Sequence, residues 1–362
     1  MSRDDWAKGS NHPSLLRHAD LPTPRFDHLR SLTDPTGLWE HAEFSTPREE
    51  HGYCTEDNAR ALIVVSRQPG SAGDLTDLAA IYLEFVLEAR TATGAFRNRR
   101  SADGVWADVG WSDDSQGRAW WGLGVASHSA PAGWMRRASA NSFATCSAFA
   151  SPHLRANAYA ALGAVELLTG EPGHGGARDL LERTSALIAE SARSAIPWPE
   201  ARLTYDNARL PEALLAAGTT LRDPSLVATG VRLLEWLVAV ETNDDHDFSF
   251  TASDGWSVGE PRPAFDQQPI EAWAMTDACH RAWTVTGDEV WRQRARQATR
   301  WLLGSNDTGM MMYDQDTGAT HDGLQDGSLN QNQGAESTIA GIAALQVTAS
   351  CEAEPPDLLS WR

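Results

Sequence analysis

Six stretches of this chain are apolar almost all round, and each is entered through a short polar or small-residue segment. They span 59–65, 118–123, 153–168, 211–217, 269–283 and 335–347. A helix without a polar face belongs in an interior, so the pattern predicts six buried helices. Between them run segments of another texture. In 178–192, Leu181, Thr184, Leu187 and Ile188 share one face, while Asp179, Glu182, Arg183 and Glu190 lie elsewhere. The stretches 288–303, 75–87, 226–240 and 131–149 read the same way, as outer helices with one wet face. Residues 25–32, ahead of the first buried helix, supply a sixth outer helix. Strand signals are sparse: 247–251 alternates, as expected of a hairpin within a loop. Buried-helix starts recur at intervals of roughly 40–70 residues, the size of a helical hairpin with a loop. An all-α (α/α)6 toroid of six hairpins fits best. An open α-solenoid is the alternative, and the long polar loops ahead of the inner helices favour a closed ring with a shared cup.

The polar segments carry the candidate chemistry. The string Asp-Asn-Ala-Arg occurs twice, at Asp57-Asn58-Ala59-Arg60 and Asp206-Asn207-Ala208-Arg209. The copies fall on the first and fourth units, which face each other in a six-membered ring. Inner-helix N-termini would converge at one end, where their dipoles attract negative charge. Each Asp there has a plain explanation, since Asp caps helices and complements the dipole. Thr55 and Ser112 are able to cap their helices, which leaves Asp57 and Asp114 for other work. Pro211 points to a helix opening at that residue, which places Asp206 in the loop before it. In Asp266-Gln267-Gln268-Pro269-Ile270-Glu271, Pro269 suits the first helical position and Gln268 the cap, with Asp266 and Gln267 available to a ligand. Glu271 and Glu336 fall in first turns. Burial in an apolar ring would raise the Glu336 pKa and suit a proton donor.

Composition narrows the partners. The 362-residue chain carries a formal charge of −19 and no block of Lys or Arg, which disfavours nucleic acid and anionic membranes. Cys54, Cys146, Cys279 and Cys351 lack metal or redox spacing and read as thiols in a reducing compartment. No signal peptide or membrane span is visible, so a cytoplasmic protein is expected, with residues 1–22 an N-terminal extension, 23–350 the toroid and 351–362 a tail. Fifteen tryptophans are present. Trp106, Trp111, Trp198 and Trp256 lie in loops, where indole rings stack on sugar faces; Trp236, Trp283, Trp291 and Trp301 lie on helices and read as core. His41 and His51 flank Glu49-Glu50 as surface groups, and Asp314, Asp316 and Asp322 read as a solvated turn without calcium-loop spacing. Neither a phosphate-binding glycine loop nor a serine or thiol nucleophile motif is found. No cofactor and no metal are expected.

Several strings resemble one family. They are Thr33-Asp34-Pro35-Thr36-Gly37-Leu38 with Glu40-His41-Ala42, then Gly52 through Leu62, Leu203 through Ala208, Phe265 through Ala272, and Asn332-Gln333-Gly334-Ala335-Glu336-Ser337-Thr338. Together they are similar to a bacterial family of six-hairpin glycosidase-like proteins, often joined to or described as glycosyltransferases. The likeness spans about 32–347 and implies an (α/α)6 toroid with a carbohydrate ligand. Two positions depart from the family pattern: Gln116 stands where a histidine is usual, and Glu56 where an aspartate is usual.

The resulting expectation is an inverting glycoside hydrolase that cleaves an oligosaccharide or bacterial glycan between paired carboxylates. Asp57, Asp114, Asp206 and Asp266 are the catalytic candidates. Asn58, Arg60, Trp111, Arg118, Tyr205, Asn207, Gln267, Gln268, Glu271, Gln333 and Glu336 are the substrate-binding candidates. A phosphorylase would need a cationic phosphate site, for which Arg60, Arg118 and Arg209 are the convergent arginines. The rival functions are a sugar epimerase or isomerase, which wants histidine bases at the cup, and a non-catalytic glycan-binding partner of a glycosyltransferase.

Overall fold

The computed structural model describes residues 21–68, 75–107, 112–193 and 197–351. The six inner helices are α2 (Thr55–Arg67), α4 (Asp113–Ser129), α6 (Leu154–Gly170), α8 (Arg209–Leu221), α10 (Pro269–Thr286) and α12 (Ala335–Ser350). The six outer helices are α1 (Asp27–Ser31), α3 (Thr76–Ala89), α5 (Gly133–Ser142), α7 (Gly175–Ser191), α9 (Pro224–Val240) and α11 (Glu289–Trp301). Each inner helix packs on the next, and α12 returns to α2. Gln346 fastens that closure by donating to the Val64 carbonyl at 2.9 Å. The outer helices α3, α5, α7, α9 and α11 pack on the inner helices that precede them, and short α1 covers α12. The molecule is an (α/α)6 toroid, and α1 is the sixth outer helix.

The inner helices are buried because little but apolar side chains lines them. Where they approach most closely, side chains nearly vanish: a Cβ on Gly117, Gly124 or Gly163 would run into the backbone of the facing helix of the α4–α6 pair. Residues 131–149, read as one helix, divide into α5 and the 3-10 segment Phe143–Ala148. The helix starts also differ in detail. Cys54, not Thr55, caps α2, its Sγ accepting the Asp57 N–H at 3.4 Å, whereas Ser112 caps α4 at 3.0 Å. Helix α8 opens at Arg209 rather than Pro211, because a third-position proline loses an N–H that has no intrahelical partner anyway. Gln268 holds the cap position of α10 without a side-chain bond.

Among the described residues, loops at the inner-helix N-termini carry three two-stranded sheets, two of them hairpins. Strand β1 (Ala42–Glu43) pairs with β2 (Thr46–Pro47), β3 (Tyr53–Cys54) with β4 (Arg99–Arg100), and β5 (Gly323–Gln325) with β6 (Ser328–Asn330). Segment 247–251 makes only a bridge from Phe248 to Thr242, and it buries Phe248 and Phe250 stacked at 5.3 Å. All four cysteines are buried and form no disulfide. Among the described helices none is long and apolar enough to cross a membrane. Most of 1–22 and all but Cys351 of 351–362 lie outside the described residues.

Candidate active site

The first turns of the inner helices meet at one end of the ring, and their charges interlock. On α2, Arg60 Nη1 holds Asp57 at 2.5 Å, and Nη2 reaches Glu336 of α12 at 2.7 Å and Glu56 at 3.8 Å. On α4, Arg118 reaches Glu56 at 3.6 Å and Asp206 at 3.1 Å, and it donates to the Tyr159 hydroxyl at 2.7 Å. Tyr159, from α6, donates in turn to Asp206 at 2.6 Å. An arc Glu336–Arg60–Glu56–Arg118–Asp206 therefore crosses the floor from α12 to the loop before α8.

Asp206 ends this arc wholly buried. Burial would push its carboxyl up, but Arg209, Arg118 and the Tyr159 hydroxyl outweigh that and hold it below the usual range. Its backbone has the left-handed φ of 51°. Glu271 of α10 maintains that turn: its carboxylate accepts the N–H groups of Asp206 and Asn207, the latter at 3.2 Å. Burial drives the Glu271 pKa up, and the charges of Glu241 and Asp206 add to it, while the two N–H donors oppose. Asn207 Oδ1 accepts from Thr204 N–H and from Arg155, each at 3.0 Å. Asp206 is thus an ionised anchor, and Glu271 and Asn207 are its supports.

A second row of ion pairs descends from Asp206 along the ring axis. Arg209 bonds Asp206 at 3.1 Å, Glu212 at 2.6 Å and Asp277 at 2.5 Å, with its guanidinium 4.6 Å from the ring centres of both Trp121 and Trp273. Arg67, at the far end of α2, stands 3.5 Å from Asp277. Glu212 and Asp277 share one guanidinium nitrogen. Burial and the neighbouring Asp277 push Glu212 up to about 7, while Asp277 is held low by Arg209 and Arg67 against its own burial.

Four acidic candidates were expected in one basin, and they arrive in three states. Asp57 and Asp206 are both buried and committed to guanidiniums. Asp114 is half-buried and open, accepting only the Tyr205 hydroxyl. Asp266 is exposed, three residues ahead of α10, with no bond from its carboxylate to the other three. Glu336 is the other open acid: its side chain keeps 36% exposure beside Arg60. Desolvation raises its pKa, Arg60 opposes the rise, and the Asp57 charge adds to it.

The binding candidates also divide. Tyr205 is 40% exposed, and the Arg155 guanidinium lies 4.8 Å from the centre of its ring. Gln268 and Gln333 are half-buried, and Gln333 uses its backbone rather than its amide side chain: N–H to Phe44 and C=O to His28. Asn58 is spent internally, accepting Leu38 N–H at 3.0 Å and donating to Cys54 C=O at 2.9 Å. Gln267 is equally occupied, accepting from Phe250 N–H and Trp301 Nε1 and donating to Ala264 and Asp307. Saturated buried amides have nothing left for a ligand. Trp111 lies outside the described residues. Trp198 is core, stacked on Trp236 at 5.6 Å; Trp106 packs on Phe85 at 5.0 Å, and half-buried Trp256 ties its ring N–H to the Glu260 carbonyl. Gln116 clasps both backbone groups of Phe96. Arg60, Arg118 and Arg209 are buried, and each is paired with at least one carboxylate.

Glu56, Tyr159 and Arg155 are site residues that sequence reasoning missed. Tyr159 lay inside an Ala-rich run read as core. Arg155 carried a faint signal, a lone cation in the first turn of an apolar helix. Glu40, Cys54 and Asp57 offer ligand atoms within 4.8 Å of one another, the one such group among the described residues. Arg99 already bonds Glu40, and Arg60 bonds Asp57, so guanidiniums hold the oxygens a cation would use.

No family model matches the chain, and no curated protein is similar to it in sequence. Solved structures are similar in fold. A D-mannose isomerase superposes with a TM-score of 0.68 at 10% identity, over 90% of this chain and 95% of that one. A sugar epimerase from a ruminal bacterium gives 0.65 at 12% identity, over 90% and 95%. The GH76 alpha-mannanase from Bacteroides thetaiotaomicron gives 0.62 at 12% identity, over 89% and 92%. At these identities the likeness establishes the architecture: the chain has the six-hairpin (α/α)6 glycosidase-like fold.

Proposed function

We propose that this protein is a carbohydrate-active enzyme, an inverting glycoside hydrolase, in which Glu336 donates the proton to the leaving oxygen and Asp114 activates water. The observation that carries the reading is the division of the acids. Two carboxyl groups keep access to solvent at the cup, Asp114 with a Tyr205 bond and Glu336 with one Arg60 contact, whereas Asp57 and Asp206 are buried against arginines. A proton donor must hold its proton near neutral pH, and burial shifts the Glu336 carboxyl upward, the direction that role requires, against the opposing charge of Arg60. The bridge Arg60–Glu56–Arg118 separates Glu336 from the helix that bears Asp114. Inversion requires the two acids to stand far enough apart for a sugar and a water, and this reading places them on either side of that bridge. Tyr205, backed by Arg155 and bonded to Asp114, offers a flat face for a sugar ring.

The isomerase and epimerase likenesses raise proton abstraction by histidine as the competing chemistry. In this chain the first turns of α2, α4, α6, α8, α10 and α12 contain no histidine, and His153, at the cap of α6, is 71% exposed and 3.8 Å from Asp113. Carboxyl chemistry is therefore favoured.

A panel of oligosaccharides assayed for new reducing ends tests the proposal, with Glu336→Gln and Asp114→Asn as controls. Cleavage of at least one glycan is expected, lowered about 10²–10⁴-fold by either change, the range for loss of a positioned acid or base. Conversion of a free sugar to its epimer, undiminished in Glu336→Gln, would refute it.

A further inference from the structure

The hairpin ahead of α2 presents an aromatic ring to solvent at a strained position. The register pairs Ala42 with Pro47 and Glu43 with Thr46, leaving Phe44-Ser45 as the turn. Phe44 is 62% exposed and has φ 54°, in the left-handed region. Gly, Asn or Asp usually fills such a position, and a bulky residue there pays in backbone strain. Strain of this kind persists where the surroundings enforce it and often marks function. Here they do enforce it: Phe44 N–H donates to Asn332 Oδ1 at 2.9 Å, and Phe44 C=O accepts the Gln333 N–H at 2.8 Å. Below it, the Glu40 carbonyl accepts the Ala335 N–H at 3.2 Å. The ring is thus fastened to the segment that delivers Glu336, three residues beyond Gln333. Tyr205 stands on the loop of the fourth unit, and Phe44 belongs to the first.

We infer that Phe44 is a second sugar-stacking platform, and that the substrate is an oligosaccharide or longer glycan contacting Phe44 and Tyr205 at once, rather than a mono- or disaccharide. The inference rests on the hydrolase reading above and extends it to substrate length. Aromatic faces bind the apolar faces of sugar rings, and an isolated exposed phenylalanine held in an unfavourable conformation has no core-packing reason to be kept. A floor whose arginines are buried and each ion-paired with a carboxylate suits neutral chains of hydroxyl-bearing sugars.

Native affinity electrophoresis through gels containing soluble α-mannan, galactomannan, dextran or xyloglucan tests the inference with the full chain, without requiring turnover. At least one polysaccharide is expected to retard the protein. Phe44→Ala should weaken that retardation at least fivefold, and Phe44→Trp should keep it. Phe44→Gly is the sharpest variant, because it removes the ring and suits the positive φ. It should melt at the same or a higher temperature while losing retention. Retention unchanged in Phe44→Ala and Phe44→Gly would overturn the inference and leave the hydrolase reading standing. Failure of every polysaccharide and of the shorter glycans to bind the wild-type chain would overturn both. A change from dimer to monomer in Phe44→Ala without altered retention would assign the ring to self-association and also overturn it.

Discussion

Glu212 and Asp277 meet on a single guanidinium nitrogen in the middle of the ring, and they show how arginines sort the acids of this molecule. Arg209 satisfies one carboxylate fully, and the other rises to about 7 through burial and like charge. A carboxyl whose folded pKa exceeds its unfolded value favours the fold at low pH, and that contribution is lost as pH climbs through the folded value. Stability should therefore fall between pH 5 and 8 by roughly 2–3 kcal/mol relative to Glu212→Gln, in which nothing titrates there. Urea unfolding of both proteins at several pH values checks this, and parallel curves would remove Glu212 from the account. Loss of Arg209 would strip Glu212 of its ion pair and leave buried Asp206 and Asp277 with one arginine each, so Arg209→Ala should cost at least about 3–5 kcal/mol and yield little folded protein, as circular dichroism would show. The acidic residues were visible in the sequence, but their states were not. Asp57 and Asp206 fall in a repeated string, and both were catalytic candidates. Only the folded chain shows both buried against arginines, while Asp114 and the Arg60-paired Glu336 keep access to solvent. Which acid an arginine neutralises depends on side chains brought from other helices, and no spacing along the chain records that.

At the level of elements, the six buried helices were readable because burial on all sides leaves no polar stripe, and the outer helices because burial on one side leaves exactly one wet face. Even α1 was legible from its place in the count. Boundaries were less so, since Pro211 is tolerated at a third helical position as well as the first. The loops were the least legible, because their form rests on contacts distant in sequence: β3 pairs with β4 across more than forty residues, and Gln267 is consumed by Trp301 and Asp307. The closest helix contact makes its own prediction. Gly163 lets α6 lie against the Trp120–Trp121 backbone of α4, so Gly163→Ala must push two inner helices apart. A loss of about 1–3 kcal/mol or more is expected, against the small gain alanine gives in an exposed helix. A melting temperature equal to or above that of the wild type would show that the ring is looser than described.

For the whole molecule, closure of the ring turns local charges into one site. Glu336 arrives from the last inner helix and Asp114 from the second, and they share a floor because α12 returns to α2. The same closure places the Tyr205 loop against α4, where it bonds Asp114. The (α/α)6 fold is settled by shape, and the chemistry proposed for it depends on one group, Glu336, delivering a proton. Leaving-group dependence tests that most directly. A proton donor matters greatly when the departing oxygen is a poor leaving group and little when it is a good one. The measurement is kcat/KM of wild type and Glu336→Gln on the cleaved glycan and on a dinitrophenyl glycoside of the same sugar. The variant should lose about 10²–10⁴-fold on the glycan and remain close to wild type on the activated glycoside. Equal losses on both substrates, or none on either, would contradict Glu336 as the proton donor.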